Sequence, residues 1–169
     1  MNWELKFVRW GDGLRSSRLL HHVLPWVTHL GSHFAVILFV LLNWITTKRF
    51  RVLFGLLLLY AIQSFIIYFL KFTVGRQRPL SPEEVEIKVS KGPGEILDPS
   101  FPSAHTTFSF MMATVLALYF PRYQAIFFIF AVFIGWTRVY LGLHYPTDVI
   151  AGGLLGYGVT KLYLKMLAP

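Results

Sequence analysis

Residues 50–79 read FRVLFGLLLLYAIQSFIIYFLKFTVGRQRP, an almost unbroken apolar run that closes on three cations, Lys71, Arg76 and Arg78. A helix needs about 20 predominantly apolar residues to cross the hydrocarbon of a bilayer, and residues 50–70 supply them. Comparable stretches at 23–45, 104–120, 124–141 and 148–167 predict five spans, and hence an all-α, polytopic membrane helical bundle. The composition agrees. Hydrophobic residues fill 55% of the 169 positions and charged residues 14%, against about a quarter charged in an ordinary soluble domain. The formal net charge of +8 does not point to nucleic acid, because no basic run is interleaved with polar loops. An anionic substrate and anionic lipid headgroups suit it better. With no cysteine in the chain, a disulfide framework, a thiolate nucleophile and a thiolate metal site are excluded.

The span at 23–45 is the weakest of the five, since it contains His29, His33 and Asn43, but Trp26 and Trp44 stand near its ends as interfacial anchors. Before it, Trp3, Phe7, Trp10 and Leu14 recur at helical spacing among charged residues. Residues 1–22 therefore read as an amphipathic helix lying in the interface, a sixth embedded element too short for a full span, although Gly11 and Gly13 oppose a helix there. Lys6, Arg9, Arg15 and Arg18 interrupt this segment, so no cleavable signal peptide is predicted. No internal repeat divides the chain, and residues 1–169 are expected to form a single membrane-embedded domain with no obligate protein partner.

The one long loop, 71–102, is broken by Pro79, Pro82, Gly92, Pro93, Gly94, Pro99 and Pro102, and long loops in compact domains tend to be functional. With five spans, the N-terminus, this loop and the 142–147 turn share one face; residues 46–49, 121–123 and the C-terminus share the other. All eight acidic residues fall on the first face. The second carries Lys48, Arg49, Arg51, Arg122, Lys161 and Lys165 with no acid, so the positive-inside bias makes it cytoplasmic and turns the long loop outward.

Three clusters at the outward boundary carry chemistry. The first is Lys71, Arg76 and Arg78, directly after the second span; interfacial anchoring is its plainer explanation. In the second, Phe101-Pro102-Ser103-Ala104-His105-Thr106 opens the third span. Ser103 suits an N-cap, and the free N–H groups of a helix start make a phosphate cradle, although a capping serine beside a chance histidine would look the same. The third runs from Thr137 and Arg138 to His144 and Asp148. Arg138 near the end of an apolar span is costly unless it pairs or binds something, with snorkelling to the surface as its plainer use. Pro146 fits the first turn of a helix, from which the Asp148 carboxylate can reach back to one nitrogen of His144 and leave the other to attack. A carboxylate merely stabilising the helix dipole is the competing view. By topology alone these clusters meet on one face with charge neutralisation, a nucleophile and an acid, as phosphoryl transfer requires. Phosphate monoesters hydrolyse so slowly unaided that such a site must remove roughly 20 kcal/mol of barrier or more.

In these segments the chain resembles the type 2 phosphatidic acid phosphatase superfamily, whose signature is Lys-x6-Arg-Pro, Pro-Ser-Gly-His and Ser-Arg-x5-His-x3-Asp. The matching residues are Lys71 to Arg78-Pro79, Pro102-Ser103-Ala104-His105, and Thr137-Arg138 to His144 and Asp148, with all internal spacings kept. The resemblance implies that His144 attacks phosphorus, that Asp148 orients it and that His105 protonates the departing oxygen. It further implies that Lys71, Arg78, Ser103, Ala104 and Arg138 hold the phosphate, with no metal and no cofactor. Ala104 stands where the family has glycine, which matters if the position needs positive φ, and Thr137 stands for serine. The substrate class implied is a phosphorylated lipid such as undecaprenyl pyrophosphate, phosphatidylglycerophosphate, phosphatidic acid or lipid A 1-phosphate, in a bacterial inner membrane with the site facing outward. Three alternatives remain: a phosphotransferase passing the phosphate to a second lipid, a non-catalytic membrane transport protein, and a vanadate-dependent haloperoxidase, although those are large soluble proteins. His21, His22, His29 and His33 match no motif and are expected to serve interfacial or inter-helix hydrogen bonding.

Overall fold

The computed structural model describes residues 3–13, 18–79 and 98–167, leaving out the side chains of residues 10–22. Every regular element among them is helical: α1 (Trp3–Gly13), α2 (Arg18–Thr28), α3 (His33–Thr47), α4 (Phe50–Val74), α5 (Ala104–Tyr119), α6 (Gln124–Tyr140) and α7 (Pro146–Leu167), with 3-10 turns at His29–Gly31 and Pro121–Tyr123. The middle of the predicted loop, with Pro82, Gly92, Pro93 and Gly94, lies outside the described residues, as do the side chains of Trp10, Leu14, His21 and His22.

Each of the five predicted spans falls on a helix, α3 to α7, but among the described residues only two segments, or three counting a bent pair, have the length and hydropathy of a span. Two segments, Phe50–Val74 and Pro121–Tyr140, are long and apolar enough to cross a membrane alone. The weakest predicted span is not one straight helix: Val23–Gly31 and His33–Thr47 meet at a bend of 55°, the shape of a broken span or of a re-entrant loop. Ser32 starts a fresh helix there, its side chain accepting from Ala35 N at 3.4 Å, a helix-capping arrangement that ends one run of backbone bonds and opens another. α5 is shorter, at 16 residues, and α7 carries Asp148, Lys161 and Lys165. The second span runs on to Val74, so Lys71 sits in a helical turn and the loop opens at Gly75.

α1 does form, and its glycines do not break it. Its apolar stripe faces outward, with Trp3 61% and Phe7 46% exposed, while Glu4 and Val8 are buried. The same inversion runs through the bundle, where Phe54, Phe65, Ile129 and Leu154 are exposed, as suits side chains solvated by lipid. Inside, Val36, Val40, Leu59, Ile67, Phe108 and Met111 make the core of α3, α4 and α5. Buried Gln63 crosses to α7, donating to Thr160 Oγ1 at 2.8 Å, the kind of polar tie that joins helices in lipid.

α5 and α7 approach at backbone distance. A Cβ built on Gly156 would fall 2.2 Å from the Thr107 carbonyl oxygen, and one on Gly152 2.6 Å from that of Ser103. This approach sets the first turn of α5 against the first turn of α7, where Ser103 N donates to the Asp148 carbonyl at 3.1 Å. Gly156→Ala is therefore expected to destabilise the folded protein by about 1–3 kcal/mol or more. Gly158→Ala, with nothing within 4 Å, should leave stability unchanged or slightly raised. Thermal unfolding of the two variants in detergent checks the difference.

The contacts also fix which segments share an end. α1, residues 75–79, the start of α5 and the 141–145 turn gather together, through Glu4 to Arg76, Arg78 to the Leu143 carbonyl and Ser103 to Asp148. Tyr163, far along α7, donates instead to the Gly55 carbonyl near the start of α4.

Candidate active site

α6 ends in a turn that decides where His144 points. Leu141 N donates to Thr137 O, Gly142 N to Val139 O and Leu143 N to Arg138 O, each within 3.0 Å, and Gly142 takes a φ of 72°. That left-handed conformation is open to glycine without steric cost. The chain folds back so that Arg138 and His144 face one cavity. α7 then starts at Pro146, and Asp148 Oδ2 accepts from Tyr145 N at 2.9 Å, which supplies the carboxylate half of a capping box from inside the first turn.

The cavity measures about 310 Å³, and six predicted site residues line it: Lys71, Arg78, Ala104, His105, Arg138 and His144. The other two, Ser103 and Asp148, stand behind its wall with no exposed surface. Ser103 caps α5, its Oγ accepting from Thr106 N at 3.5 Å and also from Thr106 Oγ1 at 2.9 Å, so it orients the helix start and its N–H groups. The Ala104 substitution is accommodated: Lys48 is the non-glycine residue with positive φ among the described residues, so position 104 makes no demand that only glycine meets. Thr137 keeps its hydroxyl occupied, donating to Ile134 O at 2.6 Å and meeting Thr28 Oγ1 at 3.0 Å. Thr28 in turn accepts from Arg138 Nη1 at 3.1 Å, which steadies a guanidinium only 2% exposed.

Burial pushes the His144 imidazole well below its ordinary pKa, and Arg78, Arg138 and Lys71 push it further in the same direction. The ring is thus neutral at physiological pH, the state a nucleophile needs. Its Nδ1 lies 3.7 Å from Asp148 Oδ2 and has no hydrogen-bond partner among the described residues. The expected bond from carboxylate to imidazole is therefore not closed here. Asp148 is committed to Tyr145 N and, through Oδ1, to Arg76 Nη1 at 2.6 Å.

Arg76 is the larger omission of the sequence reading, which passed over it for Lys71 and Arg78. Besides Asp148 it holds Glu4 Oε2 at 2.6 Å, lies 4.1 Å over the Tyr145 ring and donates to Thr147 Oγ1 at 2.7 Å. Glu4 accepts from the same hydroxyl at 2.6 Å. Burial alone would lower the Arg76 pKa, but Asp148 and Glu4 outweigh it and raise it. Two carboxylates thus share one guanidinium behind the histidine. The one sequence signal for this link was an acid on the polar side of α1. Sequence reasoning also missed His33, Tyr68 and Asp98, which complete the cavity wall. His33 does serve an inter-helix bond, its Nδ1 lying 2.7 Å from Tyr60 Oη.

Known proteins share this architecture. The crystal structure of LpxE from Aquifex aeolicus superposes with a TM-score of 0.73 over 98% of this chain and 96% of that one, at 29% identity. A lipid A 1-phosphatase of Rhizobium etli is 40% identical over 88 residues, covering 52% of this chain and 38% of the relative. A lipid A 4'-phosphatase of Bacteroides thetaiotaomicron is 36% identical over 133 residues, 73% of this chain and 57% of the relative. The chain thus spans between about two fifths and three fifths of the length of these two relatives. Residues 50–168 match the PAP2 superfamily, and because that segment takes in the greater part of the sequence and every motif residue around the cavity, the chain belongs to the PAP2 superfamily.

Proposed function

We propose that this chain is a membrane lipid phosphatase acting through a phosphohistidine, as a single membrane-embedded domain of residues 1–169. The observation that carries this reading is the convergence of Lys71, Arg78, Arg138, His105 and a neutral His144 on one cavity. With Nδ1 on the Asp148 side of the ring, we assign the bond to phosphorus to Nε2 of His144, which requires that nitrogen to face the phosphate rather than the Ser100 backbone that the imidazole also meets. As the N–P bond forms, the P–O bond to the lipid breaks and His105 gives its proton to the departing oxygen. A water that returns a proton to His105 then cleaves the N–P bond and releases inorganic phosphate. Lys71, Arg78, Arg138 and the N–H groups at Ala104 neutralise the developing charge, as a metal ion does in other phosphatases. The 3.7 Å gap to Asp148 is of a kind that closes when substrate binds.

A lipid substrate is favoured by the setting of the cavity among helices whose outer faces are apolar. A second cavity, of about 370 Å³ and lined by Leu38, Met112, Ala113 and Phe127, lies further along α5, beginning at Ser109 one turn beyond His105. The named relatives act on lipid A. Lipid A 1-phosphate therefore joins undecaprenyl pyrophosphate, phosphatidylglycerophosphate and phosphatidic acid as the substrates to test, with the site on the outward side of a bacterial inner membrane. The cation distribution supports that orientation. Purified protein is expected to release inorganic phosphate from at least one of the four in the presence of a chelator. Phosphate transferred to a second lipid without release would identify a phosphotransferase, and loss of activity on chelation would end the metal-independent mechanism.

A further inference from the structure

Two of the cavity's cations are already engaged by an anion of the chain itself. Asp98 places Oδ1 2.5 Å from Arg78 Nη2 and Oδ2 2.9 Å from Lys71 Nζ. One carboxylate thus bridges the two groups assigned above to phosphate oxygens. The backbone of the same segment follows it in: Arg78 Nε donates to the Asp98 carbonyl at 3.0 Å, and Lys71 Nζ to that of Pro99. Asp98 belongs to none of the motif segments.

The segment is anchored just beyond this point. Ser100 is fully buried, its N donating to Arg76 O at 2.8 Å and its hydroxyl to Gln77 O at 3.1 Å. Asp98 lies two residues before that anchor, and its side chain is 32% exposed where that of Lys71 is 2% exposed. It can therefore turn out to water while Lys71 stays in place. Burial pushes the Asp98 carboxyl up, but Lys71 and Arg78 outweigh it and hold it below the usual carboxylate range, so it is an anion at neutral pH.

Two adjacent, largely buried cations are costly to leave without a counter-ion. We propose that Asp98 is a resident anion of the site, holding Lys71 and Arg78 until a phosphate displaces it, and so setting the threshold of affinity that an incoming ligand must exceed. The inference rests on the reading that these two cations bind phosphate. A phosphate monoester brings nearly two charges against one and has a further oxygen to offer Arg138. Every ligand's apparent affinity is reduced by the fraction of molecules in which the carboxylate has left.

The test is binding of inorganic phosphate and orthovanadate to purified protein in detergent, by calorimetry and thermal shift, for wild type and Asp98→Asn. The amide keeps the size and loses the charge. The variant is expected to bind both anions about tenfold more tightly, to melt at a lower temperature when empty, and to gain more from added phosphate than wild type does. Asp98→Glu, which keeps the charge, should bind like wild type. Equal affinity in wild type and Asp98→Asn overturns the inference and leaves the phosphate site standing. Weaker binding by Asp98→Asn overturns it as well, by making Asp98 part of the grip on phosphate. If neither protein binds either anion, the phosphate site itself falls and the inference with it. Should Asp98→Asn fail to fold, recovery of folded protein when phosphate is present throughout purification supports the exchange of one counter-ion for another; no recovery overturns it.

Discussion

His144→Ala is expected to lower kcat/KM for the lipid phosphate ester by on the order of 10⁵-fold, with the folded protein still able to bind inorganic phosphate. The substitution removes the attacking nitrogen and leaves Lys71, Arg78 and Arg138 around the cavity. A residue that forms the covalent bond carries a loss of this size because what remains is binding and electrostatic stabilisation of a much slower attack by water. The imidazole is 2% exposed, so the alanine variant also leaves a small void. His144→Gln fills it and should be equally inactive, which separates chemistry from packing. Rapid quench with a phosphate-labelled lipid provides the direct readout. Wild type should retain acid-labile label on the chain, and both variants should retain none. Label on either variant would mean that another residue attacks.

Arg138→Ala is expected to cost about 10³–10⁵-fold in kcat, the range seen for arginines that stabilise phosphoryl-transfer transition states, and Arg138→Lys somewhat less, about 10²–10³-fold. Lysine preserves the charge, so an argument from charge alone would predict little change. The side chain is 2% exposed and is held at one guanidinium nitrogen by Thr28. That tie restrains the plane of the guanidinium where it faces the cavity, a fixed planar geometry that an ammonium on a flexible stem cannot reproduce. Steady-state kinetics in mixed micelles would show it as a fall in kcat larger than any rise in KM, because the developing charge is greater in the transition state than in the bound ester. A KM effect with kcat unchanged would assign Arg138 to substrate binding only.

The extent to which this molecule could be read from its sequence depends on how far apart the interacting residues lie. The helices were legible because apolar length is a local property, and the shared end of the three clusters followed from counting spans. Gly142 and Pro146 fix the turn that presents His144, and both lie within four residues of it. The supports behind the histidine were not legible. Arg76 meets Glu4 and Asp148 across separations of 72 residues each, and Thr28 meets Arg138 across 110; no spacing rule reaches that far. Asp98 was invisible for another reason, since a lone acid in a loop rich in proline and glycine resembles any solvated charge until its partners are placed. The backbone contact of α5 with α7 depends on Gly152 and Gly156, which a hydropathy reading passes over. The 55° bend was hidden because apolar continuity says nothing of direction.

The segment that identifies the superfamily begins at residue 50, yet Glu4 and Thr28, which brace Arg76 and Arg138, lie before it. A hybrid made by transplanting residues 50–168 onto the front portion of a relative would inherit every reacting side chain and a stranger's scaffolding behind them. Whether such hybrids worked would turn on the fit between donor and recipient portions, so the two stretches of chain have to be exchanged, or engineered, as a matched pair.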